Sequence, residues 1–368
     1  MDIFQLDDFN KLCRIRNDNA SSIYLSTHKS GVEVNEGIDR IAYKNEVYKV
    51  MDLLEAKGFE EEFVKKYMRP FFELLRNDDF WKTLNKGLAI FATDCDFYVY
   101  RLPVSFETFT SLANAFILTP VLPLADEFHY FVLALEQNHV SLYRCNKYTI
   151  EEVKPKKHFP KMKGVLAQYQ FTGENVNGKG YDFEDPYLYE FSRNINVIVK
   201  ETLHDEKAPL IVAGAEYFHH IYNNINTYQH LLSKGLGNPA NRNLRELHEE
   251  SLQLIKDELE KPFNDGIERY KTLAGSGKTS YDLETLVYAA LDGKIAQAFV
   301  EKERHIWGKL NQQERTIEVH DEKEEGDTDL VNLIACTTIE DKGKAFLITK
   351  EQQPEKEIDP VALAVFRY

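Results

Sequence analysis

The chain has 368 residues, of which 43% are apolar, and its formal net charge is −15 at pH 7. This length exceeds what one ordinary core holds, so we expect two or three globular domains, and the acidic balance argues against attraction of a whole domain to nucleic acid. The most apolar stretch, residues 112–125, contains Pro120 and Pro123 and is shorter than the roughly 18 residues of a membrane span, so we expect neither a membrane nor DNA as a partner.

The cysteines indicate a reducing compartment. Cys13, Cys95, Cys145 and Cys336 are far apart, and no C-x-x-C pair occurs. This spacing is typical of reduced cytosolic thiols and not of a disulfide framework or a zinc site. The first residues have neither the basic start nor the apolar run of a signal peptide. We therefore predict a cytoplasmic protein without a metal or cofactor.

Hydrophobic periodicity in the first third predicts strands and helices in mixed order. Period-2 and buried runs predict strands, and apolar positions at helical spacing predict helices. The predicted elements are a strand at 22–26, helices at 38–57 and 60–75, a strand at 87–92 and its hairpin partner at 97–100.

The middle third alternates between strand and helix patterns. The predicted elements are a hairpin of 130–135 with 140–143, a helix at 187–203, a strand at 210–214, and helices at 219–232 and 244–273. Such alternation is typical of an α/β sheet covered by helices.

A glycine-rich turn precedes the last third. The segment Gly275-Ser276-Gly277-Lys278-Thr279 is similar to the end of a phosphate-binding loop, but Thr272 stands where that loop has its first glycine. A helical pattern, and not a strand, precedes it, whereas a nucleotide site requires a strand there. We interpret it as a loop before a helix capped near Ser280.

The remaining elements of the last third predict a small α/β sandwich. They are a strand at 295–300, an acidic loop at 321–329, a helix at 330–337, and strands at 344–348 and 362–366. Residues 276–368 hold 12 basic and 19 acidic side chains, a net charge of −7.

Taken in order, these blocks resemble the archaeo-eukaryotic peptide-chain release factor family, which includes Pelota, and its bacterial branch in particular. The specificity lies in the order and spacing of the blocks, because each motif alone is weak. The segments that carry the resemblance are 131–143, 208–214, 275–300 and 361–368, with SIYLSTH at 22–28 and GLAIF at 87–91 pointing to the bacterial branch.

The resemblance implies three domains of α/β (α+β) class. They are an N-terminal α/β domain at 1–124, an RNase H-like middle domain at 125–273, and a C-terminal α/β sandwich of the kink-turn-binding fold at 274–368. It also implies a middle-domain loop with the sequence Gly-Gly-Gln, whose glutamine positions a water against the peptidyl-tRNA ester.

The loop at that position departs from the family pattern. It contains Gly173, Asn177, Gly178, Lys179 and Gly180, so that a lysine separates the two close glycines and no glutamine follows them. We therefore transfer no catalytic residue from the family, and we expect no hydrolysis of peptidyl-tRNA.

A lysine-rich stretch precedes this loop and is the candidate RNA contact. Pro155 and Pro160 keep it extended, and Phe159 adds one aromatic ring. Lysine contacts to phosphates would make binding strongly salt-dependent. The alternative interpretation is a solvated connector, since lysines are common on any surface. The candidate residues are Lys154, Lys156, Lys157, His158, Lys161 and Lys163.

Three functions remain open on sequence alone. The first is a translation-associated factor that binds a ribosome or tRNA-like RNA without releasing peptides. The second is a nuclease or phosphotransferase that uses the RNase H-like domain, which is disfavoured because the strands at 130–135, 140–143 and 210–214 contain no Asp or Glu. The third is a scaffold whose acidic C-terminal domain binds a protein partner.

Two histidine-containing groups lack the ligand spacing of a metal site. His219 and His220 are adjacent, so on a helix they point about 100° apart and do not converge on one ion. His320 and the acidic residues after it lack the ligand spacing of a calcium loop.

Overall fold

The computed structural model describes residues 4–31, 36–136, 139–162, 186–311, 313–354 and 358–368. Helices and strands are mixed throughout, which confirms the predicted α/β class. The chain divides into two compact units, one of Met1–Glu127 with Phe263–Tyr368 and one of Phe128–Pro262. The division into domains at 1–124, 125–273 and 274–368 stays a prediction.

The N-terminal part of the first unit is a four-stranded antiparallel sheet in the order β3-β2-β1-β4. Its elements are α1 (Leu6–Cys13), β1 (Arg16–Ser26), α2 (Ile38–Ala56), α3 (Glu61–Leu75), α4 (Asp78–Trp81), β2 (Gly87–Ala92), β3 (Phe97–Leu102), β4 (Phe109–Ala115) and a 3-10 turn (Thr119–Leu124).

Successive side chains along each strand point to opposite faces of this sheet. Ile23 and Ile90 pack against α2 and α3, whereas Tyr24 and Phe91 face the opposite side. The predicted helices and hairpin are confirmed to within two residues, while β1 begins six residues before the predicted strand. The half-buried pattern of β4 was not recognised in the sequence.

The second unit is a four-stranded mixed sheet in the order β7-β6-β5-β8, with β8 parallel to β5. Its elements are β5 (Tyr130–Leu135), β6 (Val140–Cys145), β7 (Ile150–Val153), α5 (Pro186–Thr202), β8 (Leu210–Ala213), α6 (Glu216–Ile225), a 3-10 turn (Pro239–Asn241) and α7 (Leu244–Leu273), whose residues from Phe263 belong to the first unit.

Helices cover both faces of this second sheet. On one face Leu133 packs with Phe191 of α5 and Phe218 of α6, and on the other Val132 packs with Ile255 of α7. The sheet is therefore buried on both sides, which explains why β5 and β8 are continuous apolar runs.

The predicted helix at 219–232 is wrong in its second half, because α6 ends at Ile225. The Asn226 amide donates to the carbonyl of Tyr228 at 2.7 Å and accepts from its N–H at 3.0 Å, which forms a local turn in place of a further helical turn. Leu231 and Leu236 then lie beside β8 as parallel bridges.

The C-terminal part of the first unit contains the sheet β14-β10-β15-β9 and a small sheet β12-β11-β13. Its elements are β9 (Thr279–Ser280), α8 (Leu283–Leu291), β10 (Ile295–Glu301), β11 (Trp307–Asn311), β12 (Thr316–His320), β13 (Thr328–Asp329), α9 (Leu330–Glu340), β14 (Lys344–Ile348), a 3-10 turn (Lys350–Gln352) and β15 (Ala362–Phe366).

The larger C-terminal sheet has helices on both faces. Ala298 of β10 packs in a cluster with α8 and α9, and Phe299 packs with Phe263 and Ile267 of α7. The predicted α/β sandwich is therefore observed in these residues. The sheet β12-β11-β13 was not predicted, because its strands are mostly exposed and polar.

The glycine-rich turn after α7 is a connection between elements. Gly275 and Gly277 have φ of 76° and 79°, in the left-handed region that glycine tolerates. Asp282, and not Ser280, caps α8, because its carboxylate accepts from the Thr285 N–H at 2.9 Å.

Candidate nucleic-acid interface

The candidate RNA contact begins where the second unit's sheet ends. β7 is the edge strand of that sheet, and the lysine segment, defined here as residues 154–162, follows it directly. A segment that leaves an edge strand has no neighbouring strand on one side. The fold therefore places these residues at the periphery of the sheet.

Every cation of the lysine segment faces solvent. Two half-buried prolines interrupt the run and restrict its backbone. An exposed ammonium group is available to a phosphate without being desolvated first. The exposed basic residues are Lys154, Lys156, Lys157, His158 and Lys161.

Two apolar side chains fix the lysine segment to the unit. Met162 is 2% exposed and belongs to the core cluster that also contains Phe191 of α5, and Phe159 packs against the same cluster. Met162 is removed from water, which contributes on the order of 1.5–3 kcal/mol for a fully buried side chain, and the half-buried Phe159 adds less. The lysines between β7 and Met162 are thus held at both ends.

Among the described residues beside the lysine segment, Glu201, Glu152 and Glu151 each face a partner of their own. Lys157 Nζ lies 2.8 Å from Glu201 Oε1 at the end of α5. On β7, Glu152 accepts a hydrogen bond from the Ser141 hydroxyl at 3.1 Å, and Glu151 lies opposite Arg144 in the strand register. No acidic side chain occurs between residues 154 and 162, so the segment is locally positive in an acidic protein.

Part of the predicted site lies outside the described residues. This applies to Lys163 of the lysine stretch and to the loop at the family's Gly-Gly-Gln position, with Gly173, Asn177, Gly178, Lys179 and Gly180. The roles assigned to all of these residues, and to the exposed lysines, stay predictions.

A nuclease would need side chains that form a metal centre. Among the residues that the structure describes, no group of three His, Cys, Asp or Glu side chains is arranged to hold a metal ion. His219 is engaged structurally, because its Nε2 lies 2.8 Å from the Leu236 carbonyl and 3.1 Å from the Gly214 carbonyl. An Nε2–H tautomer donates to these oxygens and ties α6 to the turn after β8.

The acidic stretch in the first unit is organised by hydrogen bonds. His320 Nδ1 lies 2.9 Å from Asp327 Oδ1, and the Glu324 N–H donates to Asp327 Oδ2 at 2.8 Å. The hydrogen bond to Asp327 raises the pKa of His320. The stretch therefore closes on itself as a turn. None of the helices in the described part of the chain is long and apolar enough to cross a bilayer.

Residues 129–294 match the family model described as bacterial archaeo-eukaryotic release factor family 3. The resemblance to the bacterial branch of the release-factor family is confirmed. The matched range contains the whole of β5, the lysine segment and the helix α8. No curated protein was found to match the chain.

Solved structures of the wider family are similar over most of their length. S. cerevisiae Dom34, a translation termination-like factor, shares 11% identity over 100% of this chain and 94% of its own, with a TM-score of 0.37. Archaeoglobus fulgidus Pelota shares 11% identity over 99% of this chain and 92% of its own, with a TM-score of 0.31. The archaeal termination factor aRF1 shares 11% identity over 99% of this chain and 99% of its own, with a TM-score of 0.25. These scores are too low to support any argument about this chain.

Two features of the site were not recognised in the sequence. Glu201 pairs with Lys157 although 44 residues separate them, and only the packing of α5 beside the lysine segment brings them together. Met162 had a visible signal, because an apolar residue inside a basic run indicates an anchored segment.

Proposed function

We propose that this protein is a translation-associated factor of the release-factor type, which binds a ribosome or tRNA-like RNA and does not hydrolyse peptidyl-tRNA. The observation that carries the proposal is that the family match over residues 129–294 encloses an exposed, anchored lysine segment. The family match supports a role in translation, and the lysine segment supplies the proposed contact with RNA.

The chemistry of the lysine segment fits a phosphate backbone. Its four lysines and one histidine lie within eight residues without an intervening carboxylate. Each lysine that neutralises a phosphate releases a counterion and contributes roughly 0.7–0.9 to the slope of log affinity against log salt. Binding through this segment is therefore strong at low salt and falls steeply as salt increases.

The absence of ester hydrolysis follows from the sequence of the loop at 173–180. A glutamine next to two glycines positions a water in the family, whereas here Lys179 separates Gly178 from Gly180 and no glutamine follows. A lysine side chain has no acceptor for a water proton in its charged form. We therefore propose a binding role for this loop.

Co-sedimentation with ribosomes at low and moderate salt tests the binding. The test variant changes the four exposed lysines of the segment to Gln. We expect the wild type to sediment with ribosomes at low salt and the variant to lose most of this binding, with a salt slope that is smaller by about 3. The substituted residues are Lys154, Lys156, Lys157 and Lys161.

A matched control separates local contact from total charge. It changes four exposed lysines of α2, α3 and the turn after α4 to Gln, which alters the net charge by the same amount. Equal losses in both variants, or no ribosome binding by the wild type, would contradict the proposal. The control residues are Lys44, Lys65, Lys66 and Lys82.

The scaffold hypothesis is tested separately with residues 276–368, whose net charge is −7. A pull-down from the native cell that recovers one protein at stoichiometric amounts, lost when Glu322, Glu324 and Glu325 become Gln, would favour it. We retain it as a second role, because this acidic region and the lysine segment share no residue.

A further inference from the structure

Two cysteines that are distant in sequence meet in the core of the first unit. Cys13 is the last residue of α1, Cys336 lies in α9, and the two helices pack against each other. The thiols are 1% and 3% exposed and belong to the same core cluster. The two thiols are close enough in this cluster for Cys336 to affect the pKa of Cys13.

The Cys336 thiol is oriented by a fixed neighbour. Its Sγ donates to Asn332 Oδ1 at 3.7 Å, and that amide oxygen also accepts from the Leu118 N–H at 2.6 Å. Because the Cys336 proton points to Asn332, the lone pairs of this sulfur stay available to other groups in the cluster. Formation of a disulfide requires the two sulfurs to approach to ~2.05 Å.

A cavity gives access to one of the two thiols. Cys336 lines a cavity of about 760 Å³ in the first unit, together with Arg16, Asn114, Leu333 and Glu340, whereas Cys13 is not part of its lining. Small-molecule sites span roughly 300–1,000 Å³, so a peptide-sized reagent fits there. Such a reagent meets Cys336 first.

We propose that Cys13 and Cys336 form a redox modification site, at which a small-molecule disulfide such as oxidised glutathione converts the two thiols into an intramolecular disulfide. The Cys336 thiolate attacks one sulfur of the reagent, the reagent's S–S bond breaks, and one glutathione leaves as a thiol. Cys13 then attacks Cys336 Sγ, its proton passes to the second departing glutathione, and two glutathione molecules are released in total. The protein is oxidised and the reagent is reduced.

The order of the two steps follows from the surroundings. Burial and the neighbouring Cys336 thiol raise the pKa of the Cys13 thiol well above its ordinary value. Cys13 is therefore a poor first nucleophile, because the thiolate is the reactive form. The second step is slow at neutral pH and accelerates as the pH rises.

The disulfide would lock the two ends of the chain within one unit. It joins α1 to α9 and closes a loop from residue 13 to residue 336, which restricts the unfolded chain. The midpoint of urea unfolding of the first unit is therefore expected to move to higher urea after oxidation and to return on reduction with dithiothreitol.

The test uses the full-length protein with Cys95→Ser, since Cys95 is exposed and would react by itself. The reduced, folded protein is incubated with oxidised glutathione at pH 8, alkylated and mapped by mass spectrometry without reduction. We expect a peptide that joins Cys13 to Cys336, and a fall from three titratable thiols to one in denaturant.

Cys145 is the internal control. It is a buried thiol whose pKa burial raises to about 12, but Cys13 and Cys336 both lie outside the second unit that contains it. It should stay free. In a Cys13→Ala variant the second step is removed, so a mixed disulfide of Cys336 with glutathione should accumulate.

The outcomes are distinct. Three thiols remaining in the folded protein, a cross-link that appears only after denaturation, or a cross-link through Cys145 would each overturn the proposal. If Cys13→Ala does not fold, the peptide map of the Cys95→Ser protein decides alone.

Discussion

Lys157 Nζ and Glu201 Oε1 lie 2.8 Å apart and join the lysine segment to the end of α5. Both side chains are more than half exposed, so the pair contributes at most about 1 kcal/mol to stability. Its larger effect is on charge, because Glu201 places a carboxylate beside the cations proposed to contact RNA.

Glu201→Gln should strengthen ribosome binding by a factor of roughly two, because it removes that carboxylate and leaves Lys157 free for a phosphate. Ribosome co-sedimentation across a salt series measures this. Glu61→Gln is the matched control, since Glu61 pairs with Lys65 on α3 of the first unit. Weaker binding by Glu201→Gln would show that the pair positions Lys157 and does not compete for it.

Asn332→Leu should lower the free energy of unfolding by about 2–4 kcal/mol. The amide is 4% exposed, accepts from the Leu118 N–H at 2.6 Å and donates to the Phe116 carbonyl at 2.9 Å. Leucine has a similar size but leaves both backbone groups without this partner.

Urea unfolding followed by circular dichroism measures the loss at Asn332. Asn194→Ala, at an exposed position of α5, should change the free energy of unfolding by less than about 0.5 kcal/mol. Similar losses in the two variants would contradict a specific role of the Asn332 hydrogen bonds.

Gly235→Ala should destabilise the second unit by about 1–3 kcal/mol through overpacking. A Cβ at this position would lie 2.2 Å from His219 Cε1 and 2.5 Å from the Val212 carbonyl oxygen, and the backbone oxygen cannot move aside cheaply. Gly237→Ala is the control, because its Cβ would lie 3.3 Å from the flexible Arg242 side chain. Thermal unfolding of both variants should show a clear loss only for Gly235→Ala.

Lys323 should make stability rise with pH above pH 8. Burial lowers its pKa from 10.5 to about 8, although its ammonium group lies 4.4 Å above the Trp307 ring and near the Ser111 hydroxyl. Between these pKa values the unfolded chain binds more protons than the folded chain, so the free energy of unfolding increases with pH. The increase is smaller than the full pKa shift implies, because Lys323 as a whole residue is exposed and solvent screens its charge.

Chemical denaturation at pH 7.5, 8.5 and 9.5 measures the slope for the wild type and for Lys323→Met. The variant should lack the increase, while Lys302→Met, at a lysine that pairs with Glu303 on the surface, should keep it. Parallel pH profiles for the wild type and Lys323→Met would mean that Lys323 is not buried as a cation.

Hydrophobic periodicity predicted much of the fold, because most helices and strands either bury one face or are short apolar runs that are buried completely. α2, β2 and α7 were placed to within one residue for this reason. The end of α6 was missed because the Asn226 turn overrides a helical pattern that continues to Leu232. The strands β11 and β12 carry little apolar signal, since their register depends on pairing with each other.

The site was predictable in composition but not in its contacts. Lysine spacing and two prolines identified the exposed segment. The partner of Lys157 is Glu201, 44 residues away, and the neighbour of Cys13 is Cys336, in the last third of the sequence. Such pairs arise from packing between elements, which no local pattern encodes.

The unit that combines Met1–Glu127 with Phe263–Tyr368 has a consequence for biosynthesis. Phe116 and Leu118 share their cluster with Leu330 and Ile334, residues that are made much later in translation. While the nascent chain is growing, the early sheet therefore leaves this face open to water and to chaperones. This face can be covered only after α9 has emerged from the exit tunnel. In contrast, all residues of the second unit, Phe128–Pro262, are synthesised before α9.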